Sequence, residues 1–333
     1  MDIIDKKIVC ELDANCRIPL SQLAKKLRIG RNVAAYRIQK LESNGIIQNY
    51  VCSINLGKLG YKTYKIYIKT QVTTINEENK FIEYIIKSDK TIHFLKVEGF
   101  YDYSITVVAK NIIELDEFIM DVKSKFQNLI KEQSISILVY SRVFKFEKLV
   151  LNKNENTLKF EKYNEEPTKY EIDEKDKIIL KEISQKANES IIEISKNTKL
   201  SIDIIKYRMK NLKNIINSFR VILDFNKLGY YQYTILLKTQ NMTKNTEIKL
   251  FGWASSNNKV LYYNKRIGNF DFEITMAICN IEELNNFLKE LKKEFVDNIT
   301  SYEMVLNTKL IKLDYYPFKI WISIKKFYKY IFK

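Results

Sequence analysis

Histidine is nearly missing from this chain: His93 is the single one in 333 residues. That excludes an HExxH zinc site, and no GxGxxG, P-loop or GxSxG pattern takes its place. Cysteine is sparse too. Cys10, Cys16, Cys52 and Cys279 are scattered without a CxxC pair, which excludes a cysteine metal cluster and suits a reducing compartment. No apolar run reaches membrane-spanning length, and Met1-Asp2-Ile3-Ile4-Asp5-Lys6-Lys7 opens a charged amphipathic helix, not a signal peptide. The expectation is a cytoplasmic protein with no membrane partner.

Basic residues, by contrast, are plentiful. Lys and Arg number 56 against 40 Asp and Glu, a formal charge of +16 with an isoelectric point near 9.3. A surplus of this size attracts a polyanion such as DNA. A Lys-, Ile- and Asn-rich composition also fits an AT-rich genome, so the placement of the charges has to decide. At 46% hydrophobic the composition is globular, and the length allows two to four domains.

The chain is written twice. Lys58-Leu59-Gly60-Tyr61 returns as Lys227-Leu228-Gly229-Tyr230, and Gly99-Phe100-Tyr101-Asp102 as Gly268-Asn269-Phe270-Asp271. The glycine offsets agree, since 229 − 60 and 268 − 99 both give 169; upstream, Tyr36-Arg37 matches Tyr207-Arg208 at 171. A period this long is a duplicated multi-domain unit, not a solenoid repeat.

Within each unit the hydrophobic period changes once. Ile4, Ile8, Val9 and Leu12, then Leu23, Ala24 and Leu27, then a segment from Arg31 to Ser43 ended by Asn44-Gly45, predict three short helices in a helix-turn-helix layout. In the second copy Ser190 with Glu193 forms a capping box and Ser201 an N-cap. Beyond Tyr64, Ile66 and Ile68 the order becomes β-α-β-β-α-β, a ferredoxin-like arrangement. The fold class is therefore α+β: two copies of a winged helix-turn-helix domain followed by a ferredoxin-like βαββαβ ligand-binding domain. The expected boundaries are 1–55 and 56–146 for the first pair, a polar linker at 147–172, 173–224 and 225–316 for the second pair, and a basic aromatic tail at 317–333.

On a wheel of the third helix, Ala34, Ile38 and Leu41 face the other two helices. The opposite face shows Asn32, Ala35, Tyr36 and Gln39, with Arg31 and Lys40 at its margins. A major groove suits such a face. Amide side chains pair bidentately with adenine, Ala35 leaves room for a thymine methyl, and Arg28, Arg31, Arg37 and Lys40 are placed for phosphates, the alternative being ordinary solvated residues with Arg37 as a structural salt-bridge partner. In the second copy Lys206, Tyr207, Arg208 and Lys210 persist, but Arg31 has become Ile202 and Asn32 has become Asp203. A carboxylate there repels phosphate, so the first head is the better reader.

Together, Ile18-Pro-Leu-Ser-Gln-Leu-Ala-Lys-Lys-Leu, Tyr36-Arg37-Ile38-Gln39-Lys40-Leu41-Glu42, Gly45-Ile46-Ile47 and Lys58-Leu59-Gly60-Tyr61 resemble the Lrp/AsnC (feast/famine) transcription regulators. The resemblance covers nearly the whole chain, twice over. It implies a DNA-binding head joined to a ferredoxin-like domain that dimerises through its sheet and binds an amino acid near that interface. The positions that match the family's turn there are Gly99, Tyr101 and Asp102, then Gly268, Phe270 and Asp271. Gly and Asp are also routine hairpin residues. The fusion is a departure from the family. It allows the two ferredoxin-like domains to pair inside one chain, as a pseudo-dimer with two unequal heads, or between chains with four heads.

Two other readings compete. Some siroheme decarboxylases resemble this family and also occur as paired or fused units. Their chemistry calls for histidines and arginines in the ferredoxin-like domains, where this chain has only His93, Arg142 and Arg266. The expectation is accordingly that the chain is not an enzyme and has no cofactor. The third reading is an amino-acid sensor whose heads no longer read sequence; equal affinity for every duplex would mark it.

Overall fold

The computed structural model describes residues 1–151, 160–164 and 170–318. In the first unit α1 (Ile3–Ala14), α2 (Leu20–Leu27) and α3 (Arg31–Ser43) precede β1 (Ile47–Ile54). A 3-10 turn at Leu56–Leu59 leads into β2 (Lys62–Thr70), α4 (Ile75–Lys87), β3 (Thr91–Gly99), β4 (Tyr103–Ala109), α5 (Ile112–Phe126) and β5 (Ile130–Phe144). After α6 (Glu147–Leu151) and β6 (Phe160–Asn164) the order returns. The second unit has α7 (Glu174–Gln185), α8 (Ile191–Thr198), α9 (Ile202–Leu212) and β7 (Ile216–Leu223). It continues with β8 (Tyr231–Thr239), α10 (Lys244–Ser256), β9 (Val260–Gly268), β10 (Phe272–Ile278), α11 (Ile281–Glu294) and β11 (Ile299–Leu313). The signals named above operate locally: Ser190 and Glu193 cap α8 reciprocally, and Ser201 caps α9.

The two ferredoxin-like sheets close on each other within the chain. β5 and β11 are each 15 residues long and serve both units. The first half of β5 pairs with β2 and its second half with β9; the first half of β11 pairs with β8 and its second half with β3. The ring β2-β4-β3-β11-β8-β10-β9-β5 therefore has no open seam. Closure satisfies strand edges that a separate sheet would leave exposed. Outward residues such as Tyr64, Ile66 and Ile68 pack with Phe81, Ile85, Leu115 and Phe118 of α4 and α5, and the second unit repeats this layer. The inward face joins the units through Tyr67, Val97, Tyr101, Leu236, Phe270 and Val305.

Gly99 and Gly268 stand where the long strands cross. Gly99 has φ +128°, and a Cβ there would lie 2.6 Å from the Met304 carbonyl oxygen of β11. Gly268, φ +151°, meets the Ile135 carbonyl of β5 in the same way, at 2.5 Å. Gly99→Ala is expected to cost about 1–3 kcal/mol by backbone strain alone. Gly252→Ala, in open space on α10, is expected to stabilise by about 0.5–1 kcal/mol. Urea midpoints of the two variants should move in opposite directions; a harmless Gly99→Ala would refute the crossing constraint.

The heads are joined too. β1 and β7 pair antiparallel, with Tyr50 opposite Val221 and Cys52 opposite Phe219. Cys16 N donates to Phe219 O at 3.0 Å, and Ala187 N to Tyr50 O at 3.1 Å, so α1 is held on the strand of the other head and vice versa. One buried cluster runs through both heads, from Ile8, Val9 and Leu12 to Ile179, Leu180 and Ile183. Asp13 and Arg220 add a buried ion pair across this seam: Asp13 accepts from Arg220 Nε at 2.8 Å and from Phe146 N at 3.0 Å.

The segment expected as a linker contains two elements. α6 buries Leu149 and Val150, and β6 pairs with β5. Phe146, Leu149 and Val150 have helical spacing, an apolar stripe hidden by the polar composition around it. Of the expected tail, Pro317 and Phe318 are described, with Phe318 stacked on Tyr61 at 4.5 Å; Trp321, Phe327, Tyr328 and Phe332 lie outside the described residues.

Candidate nucleic-acid interface and interior cavity

The turn before each third helix is built alike. Arg28 closes α2 in the left-handed region at φ 55°, its N–H bonded to the carbonyls of Ala24 and Lys25, and Lys199 closes α8 in the same region at φ 59°. α3 then packs Ala34, Ile38 and Leu41 inward. Arg28, Arg31, Asn32, Ala35, Tyr36, Gln39 and Lys40 are exposed, with Tyr36 at 64%. On α9, Lys206, Tyr207 and Lys210 are exposed in the same way, beside Asp203.

Arg37 takes the structural salt-bridge alternative instead of the phosphate one, and Arg208 follows it. Arg37 Nη1 donates to Asp2 at 2.6 Å and to Asp5 at 2.7 Å, the N-cap and a first-turn residue of α1. Arg208 repeats this with Asp173 at 2.5 Å and Asp176 at 3.1 Å. These carboxylates hold both guanidinium charges up and are themselves drawn toward the helix N-terminus, so the pairs brace the third helix against the first. A phosphate contact is replaced by a structural one. The cue was in the sequence, because Asp2-Ile3-Ile4-Asp5 and Asp173-Glu174-Lys175-Asp176 repeat at offset 171 with the arginines.

The turns expected to bind an effector are also occupied. Tyr101 and Phe270 are buried against each other between the units, ring centroids 6.4 Å apart. Asp102 accepts from Thr70 N at 2.7 Å, Thr70 Oγ1 at 2.9 Å and Lys69 Nζ at 3.1 Å. Asp271 accepts from Thr239 N and Oγ1 at 2.7 and 2.9 Å. Each carboxylate thus ties a turn to the neighbouring strand instead of awaiting an ammonium. The glycines serve the strand crossing.

What the sequence did not disclose lies inside the ring. Lys65 alternates with the apolar residues of β2 that pack on the helices, and its face points inward, where it is 6% exposed. With Arg266 and Glu273 it lines a cavity of about 290 Å³ that also takes in His93, Thr106, Thr234, Thr275, Asn264 and Asn307 and extends to Ile54 and Leu223 of the head ribbon. Glu273 accepts from Tyr67 OH and Arg266 Nε, and from Asn264 at 3.3 Å. Burial raises its pKa, but Arg266 and Lys65 outweigh burial and hold it at about 2. Burial, with Lys65 nearby, pushes His93 down to about 3, so the ring is neutral at pH 7. At the 169-residue offset Lys65 corresponds to Thr234 and Glu273 to Ser104, a difference between the halves that marks this cluster in the sequence.

A second, larger space of about 960 Å³ opens beside the Gly268–Asp271 turn, between β5, β9 and α10. Arg142, Lys244 and Lys265 border it. Lys265 pairs with Glu247 at 2.5 Å, which also accepts from Tyr140 at 2.6 Å, and Arg142 lies over the Tyr140 ring. Among the described residues there is no group of three or more metal-ligating side chains, and no helix is long and apolar enough to cross a membrane.

Residues 1–48 match a family model described as a winged helix-turn-helix DNA-binding domain. An uncharacterized HTH-type transcriptional regulator of Pyrococcus abyssi is 34% identical over 126 residues, covering 37% of this chain and 83% of the relative. This chain belongs to the Lrp/AsnC family of transcriptional regulators. A second such regulator, from Pyrococcus furiosus, is 30% identical over 43% of the chain and 99% of its own length, so one relative corresponds to about one unit of this regulator. The fold of the whole Lrp/AsnC chain is shared with the siroheme decarboxylase NirDL, at 14% identity, TM-score 0.60, and 98% and 97% coverage. That finding corrects the expectation that the chain is not an enzyme. The architecture it shares from end to end is one that carries an enzyme, and the scarcity of histidine did not bear on the architecture.

Proposed function

We propose that this regulator binds double-stranded DNA in a sequence-specific way through two unequal heads, 1–55 and 173–224, held by the ring of the two ferredoxin-like domains. The observation that carries the reading is the exposed face of α3, where Asn32, Ala35, Tyr36 and Gln39 lie between Arg28, Arg31 and Lys40. Amides and a small side chain suit base edges, and the flanking cations suit phosphates. On α9, Lys206, Tyr207 and Lys210 contribute backbone contact, while Asp203 limits readout to a weaker half-site. Because β1 and β7 join the heads rigidly, the operator should be asymmetric with a fixed spacing. Selection of duplexes from a random pool by the full chain tests this. One strong and one weak half-site are expected; an unenriched pool would reject it.

A second reading is catalysis on a large anionic substrate in the 960 Å³ space, with Arg142, Lys244 and Lys265 as its charged wall. The full-length fold favours it, since NirDL is described both alone and in complex with an iron-uroporphyrin III analogue. Saturable shifts in the absorbance of iron-uroporphyrin III on titration with the chain would support this reading. An unchanged spectrum would remove it.

A further inference from the structure

In the interior cavity the two halves differ in charge. Lys65 and His93 come from the first half, Arg266 and Glu273 from the second. At the 169-residue offset their counterparts are Thr234, Tyr262, Val97 and Ser104, none of them charged. The quartet thus exists once per chain, assembled only when the ring closes. With His93 neutral, two cations face one carboxylate, leaving a buried positive charge in excess. Such a charge is expensive unless something balances it.

Its donors are also incompletely used. Arg266, 7% exposed, gives Nε to Glu273, while its Nη1 has no hydrogen-bond partner among the described residues. Lys65 Nζ has three donors; it bonds Thr106 Oγ1 at 3.3 Å and approaches Glu273 only to 4.0 Å. Glu273, in contrast, is fully engaged by Tyr67, Arg266 and Asn264. We propose that this cavity binds a small carboxylate that carries further oxygen functions but no ammonium group, with Lys65 Nζ and Arg266 Nη1 as its charged donors. A monoanion cancels the excess charge. A zwitterionic amino acid brings a second ammonium for which no free carboxylate remains. Thr234 and Thr275, whose hydroxyls lie 2.9 Å apart, and Asn307 supply neutral partners for hydroxyl or oxo groups. The 290 Å³ volume matches about ten waters, room for an acid of a few carbons.

The site carries its own pH signature. Burial lowers Lys65 to about 8, against the raising effect of Glu273. The groups facing it are Glu273 on β10, Arg266 on β9, His93 on β3, Thr106 on β4 and Tyr67 on its own strand. Glu273 stays ionised, and Tyr67, pushed well up by burial, stays neutral. Lys65 alone among them changes charge just above neutrality, and the anion needs it protonated.

The test is isothermal titration of the full chain with L-lactate, glycerate and pyruvate, beside L-alanine. Saturable binding of at least one hydroxy or oxo acid is expected, with none of alanine. Affinity should fall about tenfold per pH unit above roughly pH 8. Lys65→Met should weaken binding about 10- to 100-fold while melting no lower than the parent, because the excess charge is gone. Absent binding by all three acids, equal binding of alanine, a flat pH profile, an unaffected Lys65→Met variant or a lower melting point for it would each overturn the proposal.

Discussion

Arg31→Ala combined with Asn32→Ala is expected to weaken binding to the selected duplex about 10- to 100-fold. Most of the loss should come from the base contact of Asn32, worth about 1–3 kcal/mol when bidentate. Arg31 adds a phosphate contact, so the slope of log affinity against log salt should become shallower by about 1. Fluorescence anisotropy at several salt concentrations, on the selected duplex and a scrambled one, separates the two. Asn32 matters for the first duplex only; Arg31 matters for both. An equal fall on both duplexes would show that α3 does not read bases. Asp203→Ala should act in the opposite direction, tightening non-specific binding, because a carboxylate near the backbone is removed from the weaker head.

Asp13→Ala should destabilise the molecule by about 3–5 kcal/mol. Asp13 is 1% exposed and Arg220 6%, and the substitution takes the carboxylate from the buried guanidinium in the seam between the heads while removing the acceptor of Phe146 N. The change is best read as the urea midpoint of the full chain. Asp13→Asn with Arg220→Met keeps an acceptor and removes both charges, so it should recover most of the loss. A single variant as stable as the parent would mean that the pair contributes nothing to holding the heads together. At the repeat offsets the corresponding residues are Ser184 and Val51, so this lock exists on one side only.

These two experiments probe different layers of the molecule. The first concerns a face visible on a helical wheel, since Ala34, Ile38 and Leu41 mark the buried side and leave Asn32, Ala35, Tyr36 and Gln39 outside. The second concerns a contact across 207 residues of chain. Arg37 shows how the layers mix. On the wheel it is a margin cation, but its place above the N-terminus of α1 gives it to Asp2 and Asp5.

Hydrophobic period, capping residues and the internal repeat act over a few residues or by self-similarity, so the repeated head-and-sheet plan follows from the amino acids alone, while α6 and β6 between the units do not. The Ser190–Glu193 capping box and the Asn44-Gly45 stop are of this kind. Strand partnership is different, because backbone hydrogen bonds are nearly blind to side chains. Nothing local in Ser134–Phe144 says that its first half will lie on β2 and its second half on β9. That choice, made by closing both sheets at once, buried Lys65 on the inner face and drew Tyr101 and Phe270 into the core. It also brought Lys65, His93, Arg266 and Glu273 together from four strands, where burial alters their charge states as no neighbour in sequence could.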